Sequence, residues 1–246
     1  MKALALISGG LDSMLAARVI RDCGVDVHGL NFVTSFGMCH KKTLLQTESP
    51  SALAARSVGI PLETIDITDD FFTLLRKPKH GFGSCVNPCI DCKILMLHKA
   101  RALLDTYQAS FVVTGEVLGQ RPMSQHRRAL AIIERESGLE GLVVRPLSAG
   151  LLDEKKKKKK GWVSRQRLLS ISGRSRKPQI ALAQSWGITQ YPNAAGGCLL
   201  TEKEFARRFR DLVSHKACTL DNVKLLTIGR HFRLSEKTKL IVGRDQ

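Results

Sequence analysis

Cys85, Cys89 and Cys92 fall within eight residues of one another. Thiols so spaced suit a redox disulfide, a zinc site or an iron–sulfur cluster. Cys89 and Cys92 stand at i, i+3, which puts both sulfurs on one face of a helix. Pro88 is a residue that starts helices, so both thiols are expected in the first turn of a helix over 89–107. A helix N-terminus favours the thiolate, the form that binds metal or attacks sulfur. Three cysteines this close are not explained by packing alone.

The second constellation is Ser8-Gly9-Gly10-Leu11-Asp12-Ser13. Two glycines let a backbone approach an anion with no Cβ in the way. A helix starting near Asp12 aims its unpaired N–H groups and positive dipole end at the same point. Ser8 and Ser13 add hydroxyls. The string is neither Gly-x-Gly-x-x-Gly nor a Walker motif, since no Lys-Ser/Thr pair follows. Thr114-Gly115-Glu116-Val117-Leu118-Gly119-Gln120 is another glycine-containing loop, placed to face the same crevice.

These loops need strands before them. Apolar runs at 3–7, 25–33, 62–67, 111–113 and 142–144 read as strands. Helical patterns at 12–23, 51–58, 89–107 and 123–137 alternate with them. Such alternation predicts an α/β fold with a doubly wound parallel sheet, and ligands bind at the C-terminal edge of such a sheet. The continuous apolar strands fit burial on both faces. Beyond residue 150 the pattern changes. Helices are expected near Gln179–Trp186 and over 202–213, and strands over 223–228 and 239–242, giving a small basic α+β module.

With the loops placed, Ser8–Ser13 resembles the PP-loop of the ATP pyrophosphatase superfamily. The resemblance implies an adenine nucleotide alpha hydrolase-like (HUP-type) fold, ATP and Mg²⁺. It implies that Ser8, Gly9, Gly10, Leu11, Asp12 and Ser13 hold the pyrophosphate, that Asp12 helps position Mg²⁺, and that Asn31 and Phe32 contact adenine. Thr114, Gly115, Glu116, Gly119 and Gln120 resemble the Gly-Glu-x-Leu-Gly-Gln loop of 4-thiouridine synthases, which points to the tRNA thiolation branch. Asn87-Pro88-Cys89-Ile90-Asp91-Cys92 resembles the Asn-Pro-x-x-x-Cys string of 2-thiouridylases, which bring in a later cysteine. Gly196-Gly197-Cys198 fits that part, making Cys92 and Cys198 catalytic. Another branch of tRNA thiolases holds a [4Fe–4S] cluster on Cys-x-x-Cys and one distant cysteine, a pattern that Cys89, Cys92 and Cys198 meet. The cluster gives Cys89 a task that a persulfide mechanism does not. Zn²⁺ with Cys85 as fourth ligand, or no metal with a Cys92–Cys198 persulfide and disulfide route, are the alternatives.

The 246 residues carry a formal charge of +17. Residues 1–150 hold a net of +3 and residues 151–246 a net of +14. A field so one-sided suits a polyanion, and 5% aromatics favour phosphate contacts over base stacking. The partner expected is tRNA, held by the basic C-terminal half through clusters such as Gly173–Lys177 and Arg207–Arg210. Sulfur would come from a donor protein or as sulfide. The odd count of seven cysteines and the lack of a secretory signal favour reduced thiols and a cytoplasmic setting. No apolar run approaches the ~20 residues of a membrane helix.

Three parts are expected: a catalytic ATP-binding domain over 1–150, a basic linker and helix over 151–193, and the module over 194–246, which reads as cut short. The amino-terminal RNA-binding extension of the full 4-thiouridine synthase has no counterpart before Ser8. Asp91 reads as a surface helix residue, and His28, His40, His98 and His126 as structural. Lys93 and Arg121 could meet phosphate. The oligomeric state stays open, a homodimer included. Two other activities compete: nitrogen transfer by a PP-loop ligase, and RNA binding without catalysis.

Overall fold

The structure, a computed structural model, describes residues 1–37, 48–152, 161–191 and 197–243. Cys39, His40, Gly196 and the lysine run at 155–160 lie outside the described residues. Five parallel strands form the central sheet: β1 (Lys2–Leu6), β2 (Asp26–Val33), β3 (Leu62–Asp66), β4 (Phe111–Val113) and β5 (Val143–Val144). Their order is β3-β2-β1-β4-β5. Ala3 pairs with Val27 on one side of β1 and with Phe111 on the other. The chain thus reverses its direction of travel across the sheet between β1 and β4, and a crevice opens at their C-terminal ends.

Alternation along the strands sorts the core into two layers. Ala3, Ala5, Ile7 and Val27 face α1 (Leu11–Asp22) and α2 (Pro50–Val58). Leu4, Leu30, Val112 and Val143 face Leu97 and Ala100 of α4 (Cys89–Ala102) and Ile133 of α5 (Arg127–Glu136). This is the doubly wound, HUP-type architecture expected. Helix α2 begins at a capped Ser49, whose Oγ accepts from Ala52 N–H at 3.2 Å, and ends at Gly59 in the left-handed region.

Two helix boundaries in the sheet domain lie four or five residues from expectation. The helix from Cys89 stops at Ala102 rather than 107, and α5 starts at Arg127 rather than 123. A further helix, α3 (Thr68–Arg76), follows β3; its signal is Phe71 and Leu75, four residues apart and buried. Beyond the sheet, α6 (Lys177–Ser185) packs on α1, and α7 (Lys203–Ser214) buries Phe205, Phe209 and Leu212. The strand expected at 223–228 is instead the helix α8 (Leu220–Leu225). Its start is capped by Thr219, which accepts from Asn222 N–H at 3.3 Å, and Val223 and Leu226 are buried i, i+3. The module closes with an antiparallel hairpin, β6 (Arg230–Arg233) and β7 (Lys239–Val242). A third core joins the module to α3 and the cysteines through Phe36, Phe71, Val86, Leu199, Leu200 and Phe205. No helix among the described residues is long and apolar enough to cross a membrane.

Candidate active site

The loop after β1 is tightly fitted. Gly9 has φ of +79°, and a Cβ there would lie 2.6 Å from the Pro50 carbonyl carbon and 2.7 Å from Ser51 N. Only glycine satisfies both demands. Ser13 folds back over the loop, donating to Gly10 O at 2.8 Å, and Ser8 N–H and Oγ–H reach Ser13 Oγ at 3.3 Å. Gly10 caps α1 without a side-chain hydrogen bond, so Leu11 opens the helix with its amides directed at the crevice.

The loop after β4 lies directly on that turn. A Cβ on Gly115 would sit 2.5 Å from Ser13 N and 2.6 Å from the Asp12 carbonyl carbon. Gln120 Nε2 donates to Asp12 Oδ2 at 3.0 Å, joining the loops across 108 residues of chain. Asp12 Oδ1 is buried with no hydrogen-bond partner. Gly119, with φ of +78°, turns the loop and donates to Gln125 O at 2.7 Å.

Thr114 and Glu116 face inward. Glu116 Oε2 accepts from Arg145 Nε at 3.0 Å and from Thr114 Oγ1 at 3.1 Å, and Arg145 also bonds Glu134. Burial alone would raise the Glu116 carboxyl, but the Arg145 guanidinium holds it below the usual carboxylate range. These residues anchor the loop rather than line its open side. Asn31 and Phe32 part company. Asn31 Nδ2 donates to Ser51 Oγ at 2.8 Å on the α2 side, while Phe32 packs in the cluster of Leu4, Leu30 and Leu97 on the other face. The structure therefore does not bring their side chains together.

The cysteines converge through backbone bonds made far away in sequence. Val86 N–H donates to Leu200 O at 3.1 Å, and Leu199 N–H to Phe36 O at 3.3 Å. These bonds set Cys198 beside the start of α4, where the thiols of Cys89, Cys92 and Cys198 act electrostatically on one another. Asn87 Nδ2 donates to Cys89 Sγ at 3.1 Å. At Cys92 the surroundings do not favour the expected thiolate. Burial pushes the Cys92 thiol up to about 12, with Lys93 pulling the other way and Cys198 adding to the rise. Burial raises Cys198 as well. Among the described residues no three His, Cys, Asp or Glu side chains are placed to hold a metal ion. The donor set has the chemistry of the expected cluster; its placement is that of three separate thiols.

Asp91 is buried, not a surface residue. Its Oδ1 lies 3.0 Å from His80 Nδ1 and its Oδ2 accepts from His80 N–H at 3.0 Å. His80 also reaches Glu136 at 3.4 Å, tying the loop before α4 to α5. The signal in the sequence was a lone histidine between Lys79 and Gly81, which has no motif around it. His126 caps α5 and His28 rests on Tyr107, both structural as expected. Part of the second basic cluster is engaged within the fold. Arg208 donates to Leu226 O at 2.9 Å and Arg210 to Cys85 O at 3.0 Å.

Residues 1–157 match the model of the family described as thiamine biosynthesis protein (ThiI). The tRNA-specific 2-thiouridylase MnmA of Tropheryma whipplei (strain Twist) is 32% identical over 97 residues, 37% of this chain and 27% of the relative. MnmA of Frankia alni is 30% identical over 162 residues, 61% of this chain and 45% of the relative. The chain thus spans between about a quarter and a half of the curated relatives it matches. A crystal structure of a 4-thiouridine synthetase–RNA complex with bound ATP aligns over 78% of this chain and 54% of that one, with 20% identity and a TM-score of 0.44. The U34-tRNA thiolase NcsA from Methanococcus maripaludis with its [4Fe-4S] cluster aligns over 100% of this chain and 78% of that one, at 13% identity and a TM-score of 0.46.

Proposed function

The chain belongs to the thiamine biosynthesis protein (ThiI) family, and from that premise we propose that it is an ATP-dependent tRNA sulfurtransferase, replacing a uridine carbonyl oxygen with sulfur. One observation carries the reading: two interlocked glycine loops and a set of three cysteines stand at the same end of one parallel sheet. The first set suits a nucleotide phosphate, the second suits sulfur, and few activities need both.

ATP fits the crevice as substrate. Gly9 and Gly10 present a surface without Cβ atoms, the first amides of α1 point at it, and Asp12 Oδ1 is a buried acceptor with nothing to accept from. An Mg²⁺ travelling with ATP would meet that oxygen. The uridine oxygen attacks the α-phosphorus, the bond to the β-phosphate oxygen breaks, and pyrophosphate leaves. The developing charge is met by backbone N–H groups and nearby cations.

The sulfur step is written through the thiols as they stand. A persulfide sits on one of the pair Cys92 and Cys198, loaded by transfer of persulfide sulfur from a donor protein or by sulfide attacking a Cys92–Cys198 disulfide, which expels the other cysteine as thiolate. Its terminal sulfur attacks the activated carbon, and AMP leaves with the former carbonyl oxygen. The other thiol then attacks the persulfide-bearing sulfur, frees the thiolated base and leaves a Cys92–Cys198 disulfide for an external thiol to reduce. Asn87, bonded to Cys89, and the His80–Asp91 pair hold the start of α4 in place. The tRNA is met by the basic residues of 151–246, so affinity falls steeply with salt.

Cys92→Ala and Cys198→Ala should each abolish tRNA thiolation while ATP still binds; full thiolation by either variant would sink the mechanism. Purification without oxygen, with iron, zinc and sulfide assays and absorbance near 400 nm, separates the thiol route from a metal-held one. Iron and sulfide in fixed ratio to protein would replace the thiol route with the cluster.

A further inference from the structure

The hairpin of β6 and β7 is turned inside out. An antiparallel pair commonly packs its apolar face on the core and leaves the polar face to water. Here the inner face carries His231, Arg233 and Lys239 beside Ile241. Arg233 and Lys239 reach Asp211 of α7 at 2.6 and 2.7 Å, and His231 Nε2 lies 2.8 Å from Ile228 O. The outer face sets Phe232 opposite Leu240 and Arg230 opposite Val242. Phe232, Leu240 and Val242 are 47%, 46% and 44% exposed, and Leu234 at the turn is 63% exposed. A one-residue shift of register would turn the apolar set inward and pull both cations away from Asp211. The carboxylate thus holds the apolar face outward, and the hairpin forgoes the burial that the opposite arrangement would give.

Size and charge identify the occupant. Four residues at about 3.4 Å each, on two strands about 4.8 Å apart, give a face of roughly 130 Å². A second copy or a stable protein partner needs about 800 Å² a side. The face instead suits a flat ring or two. Around it, residues 197–243 hold ten Lys and Arg against five Asp and Glu. Of those acids, Asp211 is taken by Arg233 and Lys239, and Glu204 by Arg207. Arg230 stands on the face itself and Lys237 beyond the turn, both exposed. A flat ring joined to negative charge is a nucleotide.

We propose that the outer face of the β6–β7 hairpin stacks unpaired bases of the RNA, with Phe232 making the ring contact and Arg230 meeting the adjoining phosphate. The inference rests on the tRNA reading above and names a surface apart from the basic clusters at 173–177 and 207–210. Every base has a π-face, so stacking on Phe232 demands no particular sequence. A duplex keeps its bases stacked on one another, which directs the hairpin to a loop or a strand end. Composition favours phosphate contacts over stacking; the placement of one phenylalanine adds stacking to them.

The test is tRNA binding, by fluorescence anisotropy across a salt series, for wild type, Phe232→Leu, Phe232→Trp and Arg230→Gln. Leucine keeps apolar bulk and removes the ring. Phe232→Leu should weaken binding about tenfold at every salt concentration and leave the slope of log affinity against log salt unchanged. Phe232→Trp should bind within twofold of wild type or tighter. Arg230→Gln should make that slope shallower by about 0.7. A blunt RNA duplex of equal length should not distinguish Phe232→Leu from wild type. Phe232→Leu within twofold of wild type on tRNA overturns the inference, as does an equal loss on the duplex. A slope unmoved by Arg230→Gln overturns the phosphate contact. A wild-type dimer in sedimentation that Phe232→Leu dissolves, with tRNA affinity kept, makes the face a contact between copies instead. If Phe232→Leu does not fold, Leu240→Thr across the strand pair decides by the same comparison. A wild-type chain that binds no tRNA at low salt overturns the tRNA reading itself, and this inference with it.

Discussion

Gly115→Ala changes one hydrogen to a methyl group at the contact between the two phosphate-facing loops. The new Cβ would fall 2.5 Å from Ser13 N, where ordinary contact begins at 3.4 Å. The opposing atoms are all backbone of α1's first turn, so no side chain can swing aside. The loops must part by roughly 0.9 Å, the difference between those distances. The Gln120–Asp12 hydrogen bond, now 3.0 Å, would stretch beyond hydrogen-bond length. Losing a hydrogen bond to a charged group costs about 1.5–3 kcal/mol. At about 1.4 kcal/mol per decade, ATP affinity should fall roughly 10- to 100-fold. Calorimetric titration with ATP measures it, with melting temperature recorded alongside. Gly24→Ala is the control: its φ is +85° but nothing lies within 4 Å, so it should lower stability and leave ATP affinity alone. A Gly115→Ala chain binding ATP within twofold of wild type, at wild-type melting temperature, would refute the steric argument.

Arg145→Met strands two buried carboxylates, Glu116 and Glu134, and should lower unfolding free energy by about 3–5 kcal/mol in urea titrations; a loss under 1 kcal/mol would mean that the cluster relaxes or takes up water. Asp211 bonds Arg233 at 2.6 Å and Lys239 at 2.7 Å, and the Arg233 hydrogen bonds foremost hold its carboxyl well below the usual carboxylate value. Its stabilising contribution is complete above the unfolded carboxylate value of about 3.9 and is lost as pH falls through the lower folded value. Asp211→Asn should therefore melt earlier than wild type at pH 7, with the gap closing only below pH 3; a gap independent of pH would remove the charge from the explanation. His80→Ala leaves Asp91 buried without its partner and should slow thiolation more than ATP-dependent pyrophosphate release. Equal slowing of both would make His80 a general stabiliser.

The glycine loops were legible because their demands are local: a strand end, two residues without Cβ, and a helix start fall within a few positions of Ser8. The same holds for Cys89 and Cys92, whose shared helix turn follows from Pro88. What escaped was set by distance along the chain. Cys92 looked activated by its helix N-terminus, but it packs against the third core with Leu199 and Leu200, and loss of solvent there outweighs the helix end. Asp91 looked exposed because its partner His80 lies eleven residues back, beyond Gly81 and Gly83. Glu116 read as a ligand contact from its loop; Arg145, from the far side of α5, claims it. Val223–Ile228 has a strand's composition, but the Thr219 cap draws its first three residues into a helix that ends at Leu225.

The backbone bonds from Val86 to Leu200 and from Leu199 to Phe36 impose an order on assembly. Most of what shapes the glycine loops, from β1 through Arg145, leaves the ribosome before Cys198 is made; the Gly173 N–H bond to Leu118 O follows. The sheet can close and its crevice can form on a nascent chain, since domains fold as units from the amino terminus. The cysteine set waits for a segment more than 100 residues downstream of Val86 to dock. A chain stalled in synthesis would hold the nucleotide end of the chemistry and lack the sulfur end, so the two half-reactions mature at different times in the life of each molecule.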